Sequence, residues 1–254
     1  MDVLHLSRMH SPEIRAAISR GVRTVVVPIG STEQHGPHLP LGMDTIVTEA
    51  LARRVALHFA PAFVGPTLQV GASDHHLAFT GTVSLSQATL ISVLLDYLRS
   101  LNRHGFERAL LLSYHGGNFG PMARAVEDYG QLNLPMRAAA FTDPHALIRA
   151  GEEAAEKLGV SPEAAGAHAG HVETSLALYL VPNLVTAQRE KGFMGRYHEV
   201  SALLFEKGLQ ALTTNGILGD PTGASAEAGA RYLDAVFHVA IEHLERQLGC
   251  LHAA

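Results

Sequence analysis

The sequence predicts an α/β fold: three layers, α/β/α, around a mainly parallel sheet, with a metal site at the C-terminal edge of the strands. Three observations carry this expectation. Short β-branched runs alternate with amphipathic segments long enough to serve as crossover helices. The strand runs are apolar on both faces, as strands buried in a parallel sheet are. The loops richest in histidine and acid each begin directly after a predicted strand, where an open parallel sheet forms its ligand crevice.

Taken in order, Ser11 and Pro12 followed by EIRAAISR and Gly21 punctuate a short helix, with a capping residue, an early proline and a terminal glycine. Residues 22–29 (VRTVVVPI) read as a buried strand that stops in the turn-rich GSTEQHGPHLPLGM at 30–43. Asp44 then stands where it would cap a helix running to about Phe59. Residues 62–70 read as a second strand, followed by a long loop containing Gly71, Gly81 and Thr82. Ser86 caps an amphipathic helix carrying Leu90, Val93, Leu94, Tyr97 and Leu98. A third strand at 108–113 runs into Tyr-His-Gly-Gly-Asn, and the helix after it carries Met122, Val126 and Tyr129. Residues 136–141 form a fourth strand candidate. Residues 183–224 mix Pro, Gly, Thr and charge around one helix at 201–212 and suit a lid or a subunit contact, while 225–247 read as a long C-terminal helix. No repeat, linker or low-complexity tract divides the chain, so residues 1–254 are read as a single domain.

Composition excludes several functions. No apolar stretch approaches the roughly 18 residues of a membrane span, and an N-terminus with Asp2, His5 and Arg8 lacks a signal-peptide core, which predicts a cytoplasmic chain with no membrane partner. Lys and Arg number 19 against 24 Asp and Glu, a net charge of −5 with no basic run and no Trp, so nucleic acid is not an expected partner. The single cysteine, Cys250, forms no intrachain disulfide and no CxxC site. The chain has no G-x-S-x-G elbow, phosphate loop or dinucleotide fingerprint, which removes serine-hydrolase, NTPase and NAD-dependent readings. What stands out is 16 histidines, many in Gly- and Pro-rich stretches, which points to imidazole chemistry or metal ligation.

Three constellations concentrate that chemistry. In Glu33-Gln-His35-Gly-Pro-His38-Leu-Pro-Leu-Gly-Met-Asp44, carboxylate, imidazole and second carboxylate form a mixed N/O set suited to Zn²⁺, Mn²⁺ or Fe²⁺, with prolines stiffening the loop. Asp44 also has the plain reading of a helix cap, and His38 is read either as a support behind the ligands or, slightly preferred, as exposed. In Tyr114-His115-Gly116-Gly117-Asn118, two glycines let backbone N–H groups approach an anion at the next helix start. In Ala167-His168-Ala169-Gly170-His171-Val172-Glu173-Thr174-Ser175, His168 precedes a helix and Glu173 lies in its first turns, so a Gly-containing turn can aim both at one centre. Glu173 has the alternative of simply favouring the helix dipole.

GSTEQHGPHLPLGMDT at 30–45, SYHGGN at 113–118 and HAGHVETS at 168–175 resemble the creatininase (creatinine amidohydrolase) family, with GASDHHLAFTGTVSLS at 71–86 and GDPTGASAEAG at 219–229 as lesser support. The resemblance implies a single-domain α/β/α fold, a homo-oligomer that is often a hexamer, and a two-metal centre hydrolysing a non-peptide or unusual C–N amide. It places metal ligands at Glu33, His35, Asp44 and His115, with Asp44 bridging two divalent ions, zinc first and manganese or iron as alternatives. The creatinine-cleaving enzymes carry a ligating Glu two residues after the histidine matching His115, where this chain has Gly117. Glu173 is expected to replace it, and creatinine is not the expected substrate. Family members with HGGN at this point include formamide-removing, mycofactocin peptide-processing and keto-inositol-hydrolysing enzymes.

The expected chemistry is metal-assisted hydrolysis of a small-molecule amide (a formamide, a cyclic amide or a modified peptide) by a hydroxide bridging the two ions, with His168 as proton shuttle. Gly116 and Gly117 would help to hold the oxyanion, and His76 and Thr82 would contact substrate unless the 71–86 loop is exposed or purely structural. Two other readings remain at this stage: a metal-dependent sugar isomerase or lyase, or keto-inositol ring hydrolase, and a non-catalytic metal-stabilised partner subunit.

Overall fold

The parallel sheet forms because its strands are apolar on both sides. In the computed structural model, which describes residues 3–249, β1 (Leu4–His5), α1 (Ser11–Ser19), β2 (Thr24–Pro28), α2 (Met43–His58), β3 (Ala62–Val64), α3 (Gln87–Arg103), β4 (Arg108–Leu112), α4 (Phe119–Gly130) and β5 (Arg137–Ala140) alternate along the chain. Then follow α5 (Pro144–Glu156), α6 (Pro162–Ala165), α7 (His171–Leu180), α8 (Tyr197–Lys207) and α9 (Ala226–Leu248). The five strands are ordered β1-β3-β2-β4-β5, and every pairing is parallel, so their C-terminal ends share one edge. Cys250 lies outside the described residues.

Every residue of β2 is buried, and alternate side chains serve opposite layers. Val25 and Val27, with Ala109 and Leu111 of β4, pack against Leu90, Leu94 and Leu98 of α3 and Met122 and Tyr129 of α4. Val26, with Leu110 and Leu112, faces Val47, Leu51 and Val55 of α2 and Tyr232, Val236 and Leu244 of α9. Each fully buried aliphatic side chain contributes about 1.5–3 kcal/mol.

Several expectations need correction. His10, in a reciprocal pair with Glu13, occupies the cap of α1, and Ser11 and Pro12 are its first two residues. Gly42 holds the cap position of α2 with no side-chain bond, which releases Asp44 from capping. The strand expected at 62–70 stops at Val64 because Gly65 and Pro66 follow, and the chain rejoins the sheet only by a bridge from Leu68 to Ile29. The helix expected at 201–212 is α8, which starts at Tyr197 and ends where Gly208 adopts φ 83°. Helix α5, not anticipated, is capped by Asp143, whose side chain accepts from the Ala146 N–H. Among the described residues no helix is long and apolar enough to cross a membrane.

Candidate metal centre

The C-terminal sheet edge gathers the three histidine-bearing segments. The chain leaves β2 through Gly30, where a Cβ would fall 2.1 Å from Thr45 Oγ1, so only glycine lets the loop pass α2. Beyond it Glu33 and His35 are 1% and 0% exposed, Asp44 lies in the first turn of α2, and His115 follows β4. His168 and Glu173 flank the start of α7. The turn between them is made by Ala169, at φ 52°, while Gly170 has an ordinary φ of −81°. The Ala169 N–H donates to Glu173 Oε2 at 2.5 Å, and Thr174 Oγ1 donates to the Ala169 carbonyl at 3.3 Å. A non-glycine held at positive φ is a strained position of the kind that collects at functional sites.

Backbone carbonyls settle which nitrogen of each ring faces inward, because a carbonyl only accepts. His35 Nδ1–H donates to the Glu33 carbonyl at 3.1 Å, leaving Nε2 directed at Asp44 Oδ1 and Glu173 Oε2, each 3.7 Å away. His115 Nε2–H donates to the Ala72 carbonyl at 3.0 Å, leaving Nδ1 3.2 Å from Glu33 Oε1 and 3.5 Å from Asp44 Oδ2. His168 Nε2–H donates to the Gln34 carbonyl at 2.7 Å, and its Nδ1 lies 3.9 Å from both Glu33 Oε1 and Glu173 Oε2. Three acids and three imidazoles thus converge. The two oxygens of Asp44 face different histidines.

Crowding these groups away from water splits their protonation. Burial opposes charge on His35, but Asp44, then Glu173 and Glu33, outweigh it and raise its pKa to about 10. His115 behaves likewise: against burial, Glu33 and then Asp44 raise it to about 9. Burial raises Glu173 to about 7. Burial opposes charge on Glu33, but the charge and hydrogen bond of His115 outweigh it and hold the carboxyl well below the usual range. Burial, reinforced by charge on His35, keeps His168 neutral, and His76, lowered to about 3 chiefly by burial, is neutral too.

A cavity of about 80 Å³ opens beside the cluster, with Glu33, Asp44, His115, His168, Glu173, His76, Gly116 and Gly117 in its lining. The rest of the wall is mainly apolar, including Phe119, Leu147, Ile148, Leu204 and Phe205, with His75, Tyr114 and Tyr197 among it. Leu204 and Phe205 belong to α8, so part of the 183–224 stretch covers the site. Thr82 is not in that wall; its hydroxyl accepts from the Gln34 N–H at 3.1 Å. His38, expected to be exposed, is 1% exposed, and its Nε2 donates to Thr174 Oγ1 at 2.8 Å. Gly116 has open space where a side chain would stand, whereas a Cβ on Gly117 would meet the Ala72 carbonyl oxygen at 2.2 Å and His115 Nε2 at 2.5 Å. No carboxylate fits there unless the loop moves.

Sequence reasoning missed the supports. Asn118 donates to the Gly30 carbonyl at 2.9 Å and to Ser113 Oγ at 3.1 Å and accepts from the Ala72 N–H at 3.0 Å, tying the loops after β2 and β4 to the 71–86 loop. Ser31 Oγ donates to Glu33 Oε2 at 3.2 Å, and Gln34 reaches both His76 and His168. The available signal was position, since each flanks a candidate ligand.

The residues fit divalent metal. Glu33, His35 and Asp44 offer ligand atoms within 4.8 Å of one another, as do His35, His168 and Glu173. His35 Nε2 and Asp44 Oδ2 are buried with no hydrogen-bond partner, an arrangement that is costly unless something else satisfies them. The donor set, imidazole and carboxylate without thiolate, suits zinc, manganese or iron.

Comparison with known proteins agrees. The creatininase family profile, described as creatinine amidohydrolase, matches residues 7–244. The chain is 36% identical over 231 residues to the mycofactocin precursor peptide peptidase of Mycolicibacterium smegmatis, covering 89% of this chain and 85% of that protein. It is 31% identical over 190 residues to the creatinine amidohydrolase of Pseudomonas putida, covering 70% and 72%. Among solved structures, a manganese creatininase superposes with a TM-score of 0.79 at 25% identity over 96% of this chain and 99% of that one. The chain belongs to the creatininase family and is an amidohydrolase-type enzyme acting on carbon–nitrogen bonds.

Proposed function

We propose that this chain, as one domain over residues 1–254, is a metal-dependent amidohydrolase that cleaves a non-standard amide in a modified peptide carrying an apolar side chain. The observation that carries the proposal is the pair of buried, unpartnered atoms, His35 Nε2 and Asp44 Oδ2, inside a ring of acids and imidazoles. Glu33, His35, Asp44, His115 and Glu173 would hold two divalent ions, with Glu173 supplying the carboxylate that the creatinine-cleaving relatives carry where this chain has Gly117. Two such ions supply Lewis-acid polarisation of a carbonyl and lower the pKa of water from 15.7 to about 7.

The chain's own groups do the rest. His168, neutral and with a bare Nδ1 in the cavity lining, takes a proton from the attacking water as its oxygen bonds to the carbonyl carbon. The C–N bond then breaks and the same Nδ1–H protonates the leaving nitrogen, giving an amine and a carboxylic acid that ionises into solvent. Gly116 and Gly117 line the same cavity, and their N–H groups would help to hold the oxyanion. The apolar part of the wall suits an amide bearing an aliphatic or aromatic side chain. The name of the 36%-identical relative, a precursor peptide peptidase, supports a peptide substrate.

Turnover in ¹⁸O water of a panel of formamides, cyclic amides and peptides with apolar termini tests the reading. Hydrolysis puts one solvent oxygen into the new carboxylate; a product free of label favours isomerase or lyase chemistry. The proposal includes a cytoplasmic homo-oligomer, a hexamer as is frequent in the family, which light scattering checks.

A further inference from the structure

We infer that Gln34 is a positioning residue that fixes the ring tautomers of two buried histidines, so that His168 presents a proton acceptor and His76 a proton donor to the same cavity. The geometry stands by itself; its purpose rests on the hydrolase reading above.

The orientation of the Gln34 amide is set by backbone. The Gly36 N–H donates to Gln34 Oε1 at 2.9 Å, and Gln34 Nε2 donates to the Gly216 carbonyl at 3.2 Å. Flipping the amide would set N–H against NH₂ at Gly36 and carbonyl against oxygen at Gly216, so both neighbours oppose it. Gly216 adopts φ 75°, and a Cβ there would lie 2.0 Å from Gln34 Oε1, so the amide occupies space that only glycine leaves. The Gln34 N–H is held by Thr82 Oγ1.

With the amide so fixed, its remaining N–H has two ring nitrogens in reach, His76 Nδ1 at 3.2 Å and His168 Nε2 at 3.1 Å; the latter gives its own proton to the Gln34 carbonyl and cannot accept, so the N–H donates to His76 Nδ1. A neutral His76 therefore carries its proton on Nε2, which points at Glu33 Oε1, 3.4 Å away. The carbonyl of the same residue takes His168 Nε2–H at 2.7 Å, which bares Nδ1 on the cavity side. The two rings lie 4.5 Å apart. One residue thus gives adjacent imidazoles opposite roles: His168 Nδ1 receives a proton, and His76 Nε2–H donates a hydrogen bond to an oxygen gaining charge. Spacing groups His76 with Glu33 and His168 as a possible ligand triad, but its bare nitrogen faces Gln34 and not the acids.

The test is a two-bond ¹H–¹⁵N correlation spectrum of zinc-loaded protein labelled at histidine, with the two rings assigned through His76→Gln and His168→Gln. The expected result is Nε2–H on both rings in the wild type, and a switch of His76 alone to Nδ1–H in Gln34→Glu, whose carboxylate offers an acceptor where the amide offered a donor. A wild-type His76 that is protonated on Nδ1 or bound to zinc through Nε2 overturns the inference, as does an unchanged His76 in folded Gln34→Glu. Should that variant not fold, Gln34→Met takes its place: a mixture of His76 tautomers supports the lock, and an unaltered Nε2–H ring refutes it. No substrate is involved, so failure of the ¹⁸O experiment and failure of the lock are separate outcomes.

Discussion

Asp44 Oδ1 lies 3.7 Å from His35 Nε2, and neither that nitrogen nor the other oxygen of Asp44 has a hydrogen-bond partner. A carboxylate and an imidazole that were only a structural ion pair would close to hydrogen-bond distance. Held apart, with His115 Nδ1 3.5 Å from Oδ2, they have the spacing of groups that share ions.

Metal binding should therefore release protons. At pH 7 in the metal-free protein His35 and His115, raised to about 10 and about 9, are protonated. Both must lose a proton to ligate, so apparent affinity rises with pH until about pH 9–10 and weakens below it. Calorimetric zinc titration in two buffers of different ionisation enthalpy should report between about two and three protons released per chain at pH 7, two from the histidines and about half of one from Glu173, whose pKa is raised to about 7; no buffer dependence would contradict the ligand assignment.

Replacing His168 by Gln should lower kcat by about 10²–10⁴-fold while metal content stays at the wild-type value. Loss of an ion in this variant would make His168 a ligand instead of a base.

Gly117→Ala forces a Cβ against the Ala72 carbonyl that orients His115. We expect metal affinity to fall by about 10–100-fold, the usual cost of disturbing a ligand's support. Gly117→Glu should not yield a creatinine-cleaving enzyme; competition with a chelator and a creatinine assay check both.

Asn118→Ala removes three hydrogen bonds in a fully buried place and strands the Gly30 carbonyl and Ala72 N–H. The expected destabilisation is roughly 2–4 kcal/mol, or about 10 °C in Tm at this chain length. A shift under about 2 °C in scanning calorimetry would mean that the loops are held by other contacts.

The parallel layers were legible because β2 and β4 are apolar at nearly every buried position, and Ser86 caps α3 as its sequence suggests. The five ligand candidates were legible because each stands just past a strand or at a helix start. What stayed hidden is tertiary. That Gly42 releases Asp44 from capping, that Ala169 and not Gly170 makes the turn, and that His38 is buried on Thr174 all depend on neighbours more than a hundred residues away or on backbone angles that composition does not encode. Gln34 drew no reading from the sequence, since the His76 ring and Gly216 carbonyl that meet its side chain, and the His168 ring that meets its carbonyl, come together only when the sheet edge is assembled.

The most direct test of the central claim is metal content per chain, by plasma mass spectrometry on untagged, gel-filtered protein equilibrated with zinc, manganese or iron. The account predicts about two divalent ions per chain in the wild type and fewer than one in Asp44→Asn, with activity lost in parallel. A wild type that takes up none, or an Asp44→Asn variant that keeps two, would contradict it.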